Sequence, residues 1–447
     1  MPSSVNKRGL APVLRFPEFM DAGEWKGELF GKVYSFKTTN SLSRDKLNYK
    51  QGTVKNIHYG DIHTKFSTLF DIEKENVPYI NPTESVEKIR PDSYCIESDM
   101  IFADASEDTD DIGKCIEIVS LNNEKLVSGL HTLLARQIEK KLVTGFGGYL
   151  FKSNRIREQI KKESQGAKVL GLSGGRLSSI SVVYPADEKE QKKIADCLTS
   201  IDEFITAQTQ KLDALKTHKK GLMQQLFPAE GETLPKRRFP EFRDKGEWEA
   251  LPIGEKIDLL SGHPFDGADI SEDVSGIPLM RGINITEGFV RHSRDMDRFF
   301  LGDVKKLEKY RLRIDDLVIG MDGSKVGKNS ALISEIDADT LLVQRVARLR
   351  AKGEATIHFI FQQINSSKFH AYVDRINTSS GIPHISAKQI NDFKICFPSV
   401  AEQQKIADCL ASLDDLITAQ TKKLAALKTH KKGLMQQLFP AMDEVDA

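Results

Sequence analysis

The 447-residue chain has few cysteines, no excess of charge of either sign and no long apolar run. A membrane-spanning helix needs about 20 consecutive apolar residues, and no segment approaches that length. The first 19 residues lack the apolar core of a secretory signal. The five cysteines show no Cys-x-x-Cys pair and no Cys/His metal spacing. These absences predict a cytoplasmic protein with reduced thiols and no bound metal.

The balance of charge is even, with 64 basic and 64 acidic residues. Nucleic-acid-binding proteins often carry a basic excess, so the total counts mildly against that class. Local basic groups occur nevertheless, for example around Lys216 and Lys236. For any one such group, a solvated surface is the ordinary explanation.

Motifs of nucleotide binding and catalysis are absent as well. The glycine-containing stretch 320–329 resembles a phosphate-binding loop, but the pattern requires glycine at Asp322 and a hydroxyl residue at Asn329. Such a loop either approaches a nucleic-acid backbone or forms a plain hairpin. The glycines at 145–148 lack dinucleotide-binding spacing, and the ten histidines lack metal-ligand spacing. The sequence therefore predicts recognition rather than chemistry, with no cofactor in this chain.

A long internal repeat organises the chain. Residues 194–228 return at 406–440 with six changes in 35 positions. A shorter segment, RFPEF at 15–19, returns at 238–242, and Gly-Glu-Trp follows each copy. Repeats of this kind indicate one structural unit that is present twice.

The long repeat carries a heptad pattern of apolar residues. They are Ile194, Leu198, Ile201, Ile205, Leu212, Leu215, Leu222 and Leu226. Steps of four and three over this length predict a coiled-coil helix about 50 Å long, which ends before proline. A helix packed on its own domain is the alternative. Two near-identical seams in one chain favour their pairing with each other.

The segments between the repeats have diverged. Short runs at 53–58, 98–102 and 179–184 are predicted as strands, and 151–162 as a helix, in an α+β domain with a twisted sheet and long loops. The resulting map has a lead-in at 1–25, a variable domain at 26–185, a long helix at 186–228, a linker at 229–248, a second variable domain at 249–398, a second long helix at 399–440 and a tail at 441–447.

Two motifs that follow proline carry a family resemblance. EKEQKKIA at 188–195 and AEQQKIA at 401–407 accompany the KKGLMQQLFP endings and the FPEF openings. In these motifs the chain resembles the specificity subunit of Type I restriction-modification systems. The resemblance implies an α+β fold with two target recognition domains, separated by two long helices that form an antiparallel coiled coil with pseudo-two-fold symmetry.

The resemblance also implies a function. Such a subunit is not itself an enzyme: it reads a bipartite, asymmetric DNA target, one half-site per domain, and its helices set the spacer. It docks two DNA adenine methyltransferase subunits and, through them, restriction and translocase subunits. S-adenosylmethionine is expected in the methyltransferase partner. Two alternatives stay open, namely a Type IIB-like system with fused methylase-nuclease partners and a coiled-coil scaffold without a DNA role.

Base reading requires polar side chains that reach the DNA grooves, so candidates are polar residues on loops and at strand ends. The predicted DNA contacts are Lys55, Asn56, His58, His63, Ser173 and Arg176 in the first domain, and Arg281, Asn284, Ser324, Lys325, Lys328, Asn329 and His384 in the second. For each of them a structural role is an equally good explanation. The predicted partner-docking residues are repeated on the helices: Gln208, Lys216, His218, Lys219, Gln420, Lys428, His430 and Lys431.

Overall fold

The computed structural model of the protein describes residues 10–166, 168–377 and 383–441. The chain divides into two compact units. Unit 1 contains the described residues up to Thr209 and from Lys423 onward, and unit 2 contains those within Gln210–Lys422. Among the described residues, no helix combines the length and the apolar character that a membrane span requires.

The predicted long helices are present. In chain order the helices are α1 (Phe30–Val33), α2 (Tyr59–Thr64), α3 (Phe146–Leu150), α4 (Asn154–Glu163), α5 (Gly174–Ser178), α6 (Glu188–Leu226), α7 (Ile357–Ile364), α8 (Ser367–Ile376), α9 (Ala387–Asp392) and α10 (Val400–Gln437). Helix α6 is about 58 Å long at 1.5 Å per residue. Both α6 and α10 end just before a Leu-Phe-Pro or Phe-Pro sequence, because proline cannot continue a helix.

Unit 1 is built on a five-stranded sheet in the order β2-β11-β7-β9-β5. A four-stranded sheet, β10-β4-β6-β3, and the pairs β1-β13 and β12-β8 complete it. The strands are β1 (Lys26–Leu29), β2 (Tyr34–Lys37), β3 (Leu47–Asn48), β4 (Lys55–Ile57), β5 (Leu69–Asp71), β6 (Tyr79–Ile80), β7 (Met100–Ala103), β8 (Ala105–Ser106), β9 (Cys115–Ser120), β10 (Leu126–Ser128), β11 (Thr132–Gln137), β12 (Leu170–Gly171) and β13 (Ser181–Tyr184).

Unit 2 has two four-stranded sheets, β15-β22-β19-β20 and β16-β18-β17-β21, and the pair β14-β23. Its strands are β14 (Glu249–Pro252), β15 (Ile257–Ser261), β16 (Ile270–Ser271), β17 (Ile277–Met280), β18 (Phe299–Phe300), β19 (Leu317–Gly320), β20 (Ser330–Leu332), β21 (Leu341–Leu342), β22 (Val346–Ala351) and β23 (Lys394–Phe397). The predicted α+β class is confirmed, as are strands within 53–58, 98–102 and 179–184. The helix predicted at 151–162 is α4.

The central strands of the two units are equivalent. In unit 1 the antiparallel strands β11, β7 and β9 lie side by side, and in unit 2 β22, β19 and β20 do the same. Strands β7 and β19 are buried along their whole length, so both faces of the sheet are covered. An ion pair recurs at the same register: Arg136 donates to Asp99 at 2.7 Å, and Arg350 donates to Asp316 at 2.8 Å.

The long helices pack against each other within each unit. In unit 1, Leu198 of α6 shares an apolar core with Leu438, just beyond α10. One turn further along α6, Asp202 accepts from Lys431 at 2.5 Å. From Leu198 to Asp202 the chain runs forward along α6, while the partner residues run backward from Leu438 to Lys431, so the two helices are antiparallel. This confirms the predicted pairing of the two seams.

Unit 2 repeats this packing at the equivalent residues. Leu410 shares a core with Leu226, and Asp414 accepts from Lys219 at 2.5 Å. Each variable domain also contacts the acidic residue of its helix: the Tyr149 hydroxyl donates to Asp202 at 3.0 Å, and Gln362 donates to Asp414 at 2.9 Å.

Candidate nucleic-acid interface

In each unit two short parallel strands end side by side. Strand β4 pairs with β10 in unit 1, and β17 pairs with β21 in unit 2. The residues that follow the first strand are His58 and Arg281, and they are structurally equivalent. The equivalence rests on matching backbone hydrogen bonds just before these residues. The Gly129 amide donates to the Ile57 carbonyl at 2.9 Å, and the Val343 amide donates to the Met280 carbonyl at 3.1 Å.

The segment that follows the second parallel strand contains an unusual backbone geometry. His131 and Arg345 have φ angles of 56° and 68°, in the left-handed region that costs residues other than glycine about 1–2 kcal/mol. Each lies five residues before the arginine of its sheet that pairs with a buried aspartate, Arg136 in unit 1 and Arg350 in unit 2. Both side chains are exposed, 51% for His131 and 72% for Arg345. The two units therefore adopt the same strained turn with different side chains.

Both of these exposed side chains contact an aspartate on the loop that follows β7 in unit 1 and β19 in unit 2. His131 Nδ1 lies 3.2 Å from Asp104 Oδ1. Arg345 Nε lies 3.1 Å from Asp322 Oδ2, and His384 Nδ1 donates to the other oxygen of the same carboxylate. Sequence reasoning singled out His384 but missed Arg345 and His131. Neither residue is a glycine or asparagine, so no local signal marks a left-handed position.

Two of the residues predicted to contact DNA in unit 1 are buried. Asn56 is fully buried and accepts from Asn40 at 2.6 Å. Lys55 is 9% exposed, and its ammonium lies 2.8 Å from Glu124. Both residues belong to β4, so their side chains stabilise the four-stranded sheet, and we assign them a structural role.

The predicted histidines of unit 1 lie in an aromatic cluster around Tyr59. His58 stacks on this ring at 4.7 Å between centroids, and His131 meets it edge-on at 5.3 Å. His58 is 9% exposed, and its Nδ1 accepts the Gly60 amide at 3.1 Å to cap α2. Burial lowers the pKa of His58, and the charge of Arg44 acts in the same direction. His63 is half-buried, with Nε2 3.1 Å from the Ala105 carbonyl.

Ser173 and Arg176 belong to the start of α5. The Ser173 hydroxyl accepts the Arg176 amide at 3.4 Å, an N-cap of this helix. The Arg176 guanidinium donates to the Glu163 carbonyl at 2.9 Å, although part of the side chain remains accessible. Ser386 caps α9 in unit 2 in the same way, so Ser173 and Ser386 play the same local role in the two units.

The predicted pair Arg281 and Asn284 in unit 2 closes a short turn after β17. Asn284 is buried and donates to Asp297 at 2.9 Å. Arg281 is half-buried and donates to the Met296 carbonyl at 3.3 Å. Asn284 therefore has a structural role, whereas Arg281 keeps partial access to solvent.

The glycine-containing stretch 320–329 is a hairpin loop between the antiparallel strands β19 and β20. Ser324 and Lys325 are exposed at its tip, and Lys325 pairs with Glu287 at 3.0 Å. Lys328 and Asn329 are half-buried, and Lys328 pairs with Asp374 at 3.1 Å. The stretch therefore forms a hairpin, and its approach to a nucleic-acid backbone stays a prediction.

The starts of the long helices are anchored to the variable domains by buried polar residues. Gln191 is fully buried: its amide donates to the carbonyls of Lys141 at 3.0 Å and Pro185 at 2.9 Å, and its oxygen accepts from Val143 at 2.8 Å. Gln403 makes the matching three bonds, to Glu354, Pro398 and Thr356 at 3.1, 2.9 and 3.0 Å. A glutamine at this position therefore satisfies three backbone groups in each unit.

The neighbouring glutamates hold the two RFPEF segments. Arg15 makes a bidentate pair with Glu190, at 2.7 Å for both bonds, and Arg238 makes the same pair with Glu402 at 2.8 and 2.7 Å. Both glutamates are 1% exposed. The Glu-Gln motif that carries the family resemblance, Glu190-Gln191 and Glu402-Gln403, is thus a buried joint: it connects the long helix to the rest of its unit.

The residues predicted to dock partners divide by exposure. Lys219 and Lys431 form the ion pairs already described. Gln208 is half-buried and Gln420 is buried. The remaining four are exposed on the helix surface: Lys216, His218, Lys428 and His430.

One buried acid distinguishes unit 1 from unit 2. Glu117 is 1% exposed and accepts the amides of Gly145 at 2.8 Å and Gly148 at 2.6 Å, at the start of α3. Burial raises the pKa of Glu117 to about 7, against the effect of these two amides. The residue at the equivalent register in unit 2 is Leu332. Among the described residues, no group of His, Cys, Asp or Glu has the arrangement of a metal site.

This two-unit arrangement matches a known family. The Type I restriction modification DNA specificity domain matches residues 46–217 and again 265–429. These two matches cover most of the chain and correspond to its two repeats. The chain belongs to the family of Type I restriction-modification DNA specificity proteins.

Individual relatives agree with this assignment, and solved structures share the fold. The Type I restriction enzyme MjaVIII specificity subunit of Methanocaldococcus jannaschii is 26% identical over 299 residues, covering 65% of this chain and 69% of that protein. The putative Type I MjaX specificity subunit of the same organism is 23% identical over 436 residues, covering 95% of this chain and 93% of that protein.

The fold is similar to that of the Type I S subunit from M. genitalium, with a TM-score of 0.61, 14% identity and coverage of 97% of this chain and 100% of that one. It is also similar to a chain from a structure on complex assembly and conformational transition of the Type I system, with a TM-score of 0.52, 14% identity and coverage of 93% and 98%.

Proposed function

We propose that this chain is the non-catalytic recognition subunit of a Type I restriction-modification enzyme and reads a bipartite DNA target. One observation carries the proposal: the two units share the order of their central strands and the same helix anchors, but the exposed residues of their variable domains differ. Equivalent frames with different surfaces suit two different half-sites. The target is then asymmetric, and each unit contributes its own half.

The sequence of methylated sites in a host that carries the system tests this proposal. We expect N6-methyladenine in a motif with two defined halves and an undefined spacer. Replacing residues 26–185 by the corresponding domain of a relative should change one half only. Changes in both halves, or a single continuous motif, would contradict the assignment of one half-site to each unit.

We further propose that the long helices determine the spacer and dock two methyltransferase subunits. Helix α6 is continuous from Glu188 to Leu226, and a continuous helix is a stiff spacer. Adding one heptad to both helices should change the spacer and leave the half-sites unchanged. Methyltransferase docking is supported by an exposed surface that the two repeats share, including Lys216 with Lys428 and His218 with His430.

Native mass spectrometry of the assembled complex tests the docking proposal. Reversing charge in one copy, Lys216→Glu with Lys220→Glu, should leave one methyltransferase bound per chain instead of two. The same change at Lys428 and Lys432 should remove the other. Lys192→Glu is the matched control, because Lys192 is exposed but its repeat equivalent is Gln404. Full occupancy by two partners in the charge-reversed variant would exclude this surface.

Catalysis is assigned to the partners. We propose that S-adenosylmethionine binds the methyltransferase partner and that the complex acts on DNA in the cytoplasm. The purified chain alone should neither methylate nor cleave DNA, and methylation should require the added partner.

A further inference from the structure

If the two units read different half-sites with equivalent parts, a reading residue is expected at the same place in both units and with a different chemistry in each. The turn that contains His131 in unit 1 and Arg345 in unit 2 meets this requirement. Both residues have positive φ, both directly precede the strand that carries the ion-pair arginine (β11 or β22), and both are exposed. A left-handed conformation costs free energy in both units, and such strain is commonly retained where it positions a functional side chain.

The surroundings of Arg345 orient its guanidinium. Asp322 contacts Nε at 3.1 Å, and His384 holds the opposite oxygen of that carboxylate. Asp322 is 21% exposed and Arg345 is 72% exposed, so the carboxylate lies on the protein side of the guanidinium rather than between the guanidinium and solvent. With Nε engaged by the carboxylate, the Nη edge is the part of the arginine that faces a ligand. A fixed guanidinium loses less conformational entropy on binding than a mobile one.

The chemistry of this group favours a base over a phosphate. The two Nη donors match the O6 and N7 acceptors of guanine in the major groove, the commonest specific contact between arginine and DNA. A phosphate would carry its negative charge close to the Asp322 carboxylate, which repels it. The base edge is uncharged and does not meet this repulsion.

We propose that Arg345 reads a guanine in the half-site of unit 2 and that His131 occupies the equivalent reading position in unit 1. The inference rests on the proposed function, since it names the residue that determines part of the target. Asp322 and His384 act on Arg345 as positioning residues. Asp104 has the corresponding place beside His131.

The test uses the full-length chain assembled with its methyltransferase subunits. The target is first obtained from the methylated host genome, and binding is then measured on duplexes in which each position of each half-site is changed in turn. Arg345→Ala should lower the preference for guanine at one position of one half-site by roughly 5- to 100-fold. All other positions should keep their preferences. Arg345→Lys, which keeps the charge but loses the bidentate edge, should show most of the same loss.

Matched variants separate reading from general effects. His131→Ala should change preference only in the other half-site. Asp322→Asn should weaken discrimination at the Arg345 position without removing it, because the guanidinium remains but is less fixed. The circular dichroism spectra of Arg345→Ala and His131→Ala should match that of the unaltered chain, since the Arg345 and His131 side chains are exposed.

The outcomes distinguish failure of this inference from failure of the proposed function. If the unaltered complex shows no bipartite target, the proposed function is wrong. If it shows one and Arg345→Ala leaves every base preference intact, the reading role is wrong. A loss of affinity that is equal on all sequences and reduces the salt dependence would make Arg345 a phosphate contact and also overturn the inference.

Discussion

Gln191→Leu removes the anchor between α6 and the variable domain of unit 1 while nearly preserving side-chain size. The change leaves three backbone groups without their partner: the carbonyls of Lys141 and Pro185 and the amide of Val143. A lost hydrogen bond costs about 1 kcal/mol, and an unsatisfied buried group costs about 1–3 kcal/mol. The Pro185 bond is buried, whereas the other two are partly accessible to water. We therefore expect unit 1 to lose about 2–4 kcal/mol of local stability.

Hydrogen exchange measured by mass spectrometry is the suitable assay, because a two-unit chain need not unfold in one step. The Val143 amide donates directly to Gln191, so its exchange reports the opening of this joint. A loss of 2–4 kcal/mol corresponds to exchange that is faster by roughly 30- to 700-fold. Peptides from unit 2 should exchange as before, because all three bonds lie within unit 1.

Two further variants test the anchoring role of Gln191. Gln403→Leu should produce the same acceleration at Thr356 in unit 2, since the three bonds there are equivalent. Lys192→Leu places the same side chain one residue further along the helix, at a position that is 71% exposed, and should change exchange little. Unchanged protection of Val143 in Gln191→Leu, or equal acceleration in Lys192→Leu, would refute the anchoring role.

Three other predictions concern titration, ion pairing and thiol reactivity. The pKa of Glu117 is about 7 in the folded chain against an ordinary 4.5, so folding takes up a proton in that window and the stability of unit 1 should fall as pH rises through it. Glu117→Gln should remove this pH dependence in hydrogen exchange at pH 5 and pH 8, and an unchanged dependence would assign it to another group. A double-mutant cycle on Asp202→Asn and Lys431→Met should give a coupling of about 1 kcal/mol or less, because both side chains remain partly exposed; a coupling of several kcal/mol would contradict this. Burial raises the pKa of the Cys115 thiol to about 11, so iodoacetamide should modify the half-exposed Cys197 first, and faster labelling of Cys115 would indicate local opening of the sheet.

Much of the architecture could be predicted because its signals are local and repeated. A seam of apolar residues at heptad spacing specifies a long helix wherever it occurs, and its near-identical second copy indicates a partner of the same length. The strands within 98–102 and 179–184 are short apolar runs between turn residues, so they too were predicted.

The candidate DNA contacts were harder to predict, because residue type does not reveal burial. Asn56 and Asn284 are typical base-reading residues, yet both are buried and bonded within the sheet and turn that hold them. Whether a polar side chain points to solvent depends on strand pairing between distant segments. That pairing has no signature in the few residues around an asparagine.

The sequence by itself determined that the chain contains two related units, that long paired helices belong to both, and that the two variable domains are α+β and differ from each other. Only the tertiary structure decided which polar residues are internal. It showed that the repeated Glu-Gln motif is a buried joint, because Glu190 and Gln191 find their partners in segments up to 175 residues away along the chain. It also placed Arg345 on Asp322 in a left-handed turn, since backbone conformation there is imposed by the flanking strands rather than by the residue itself.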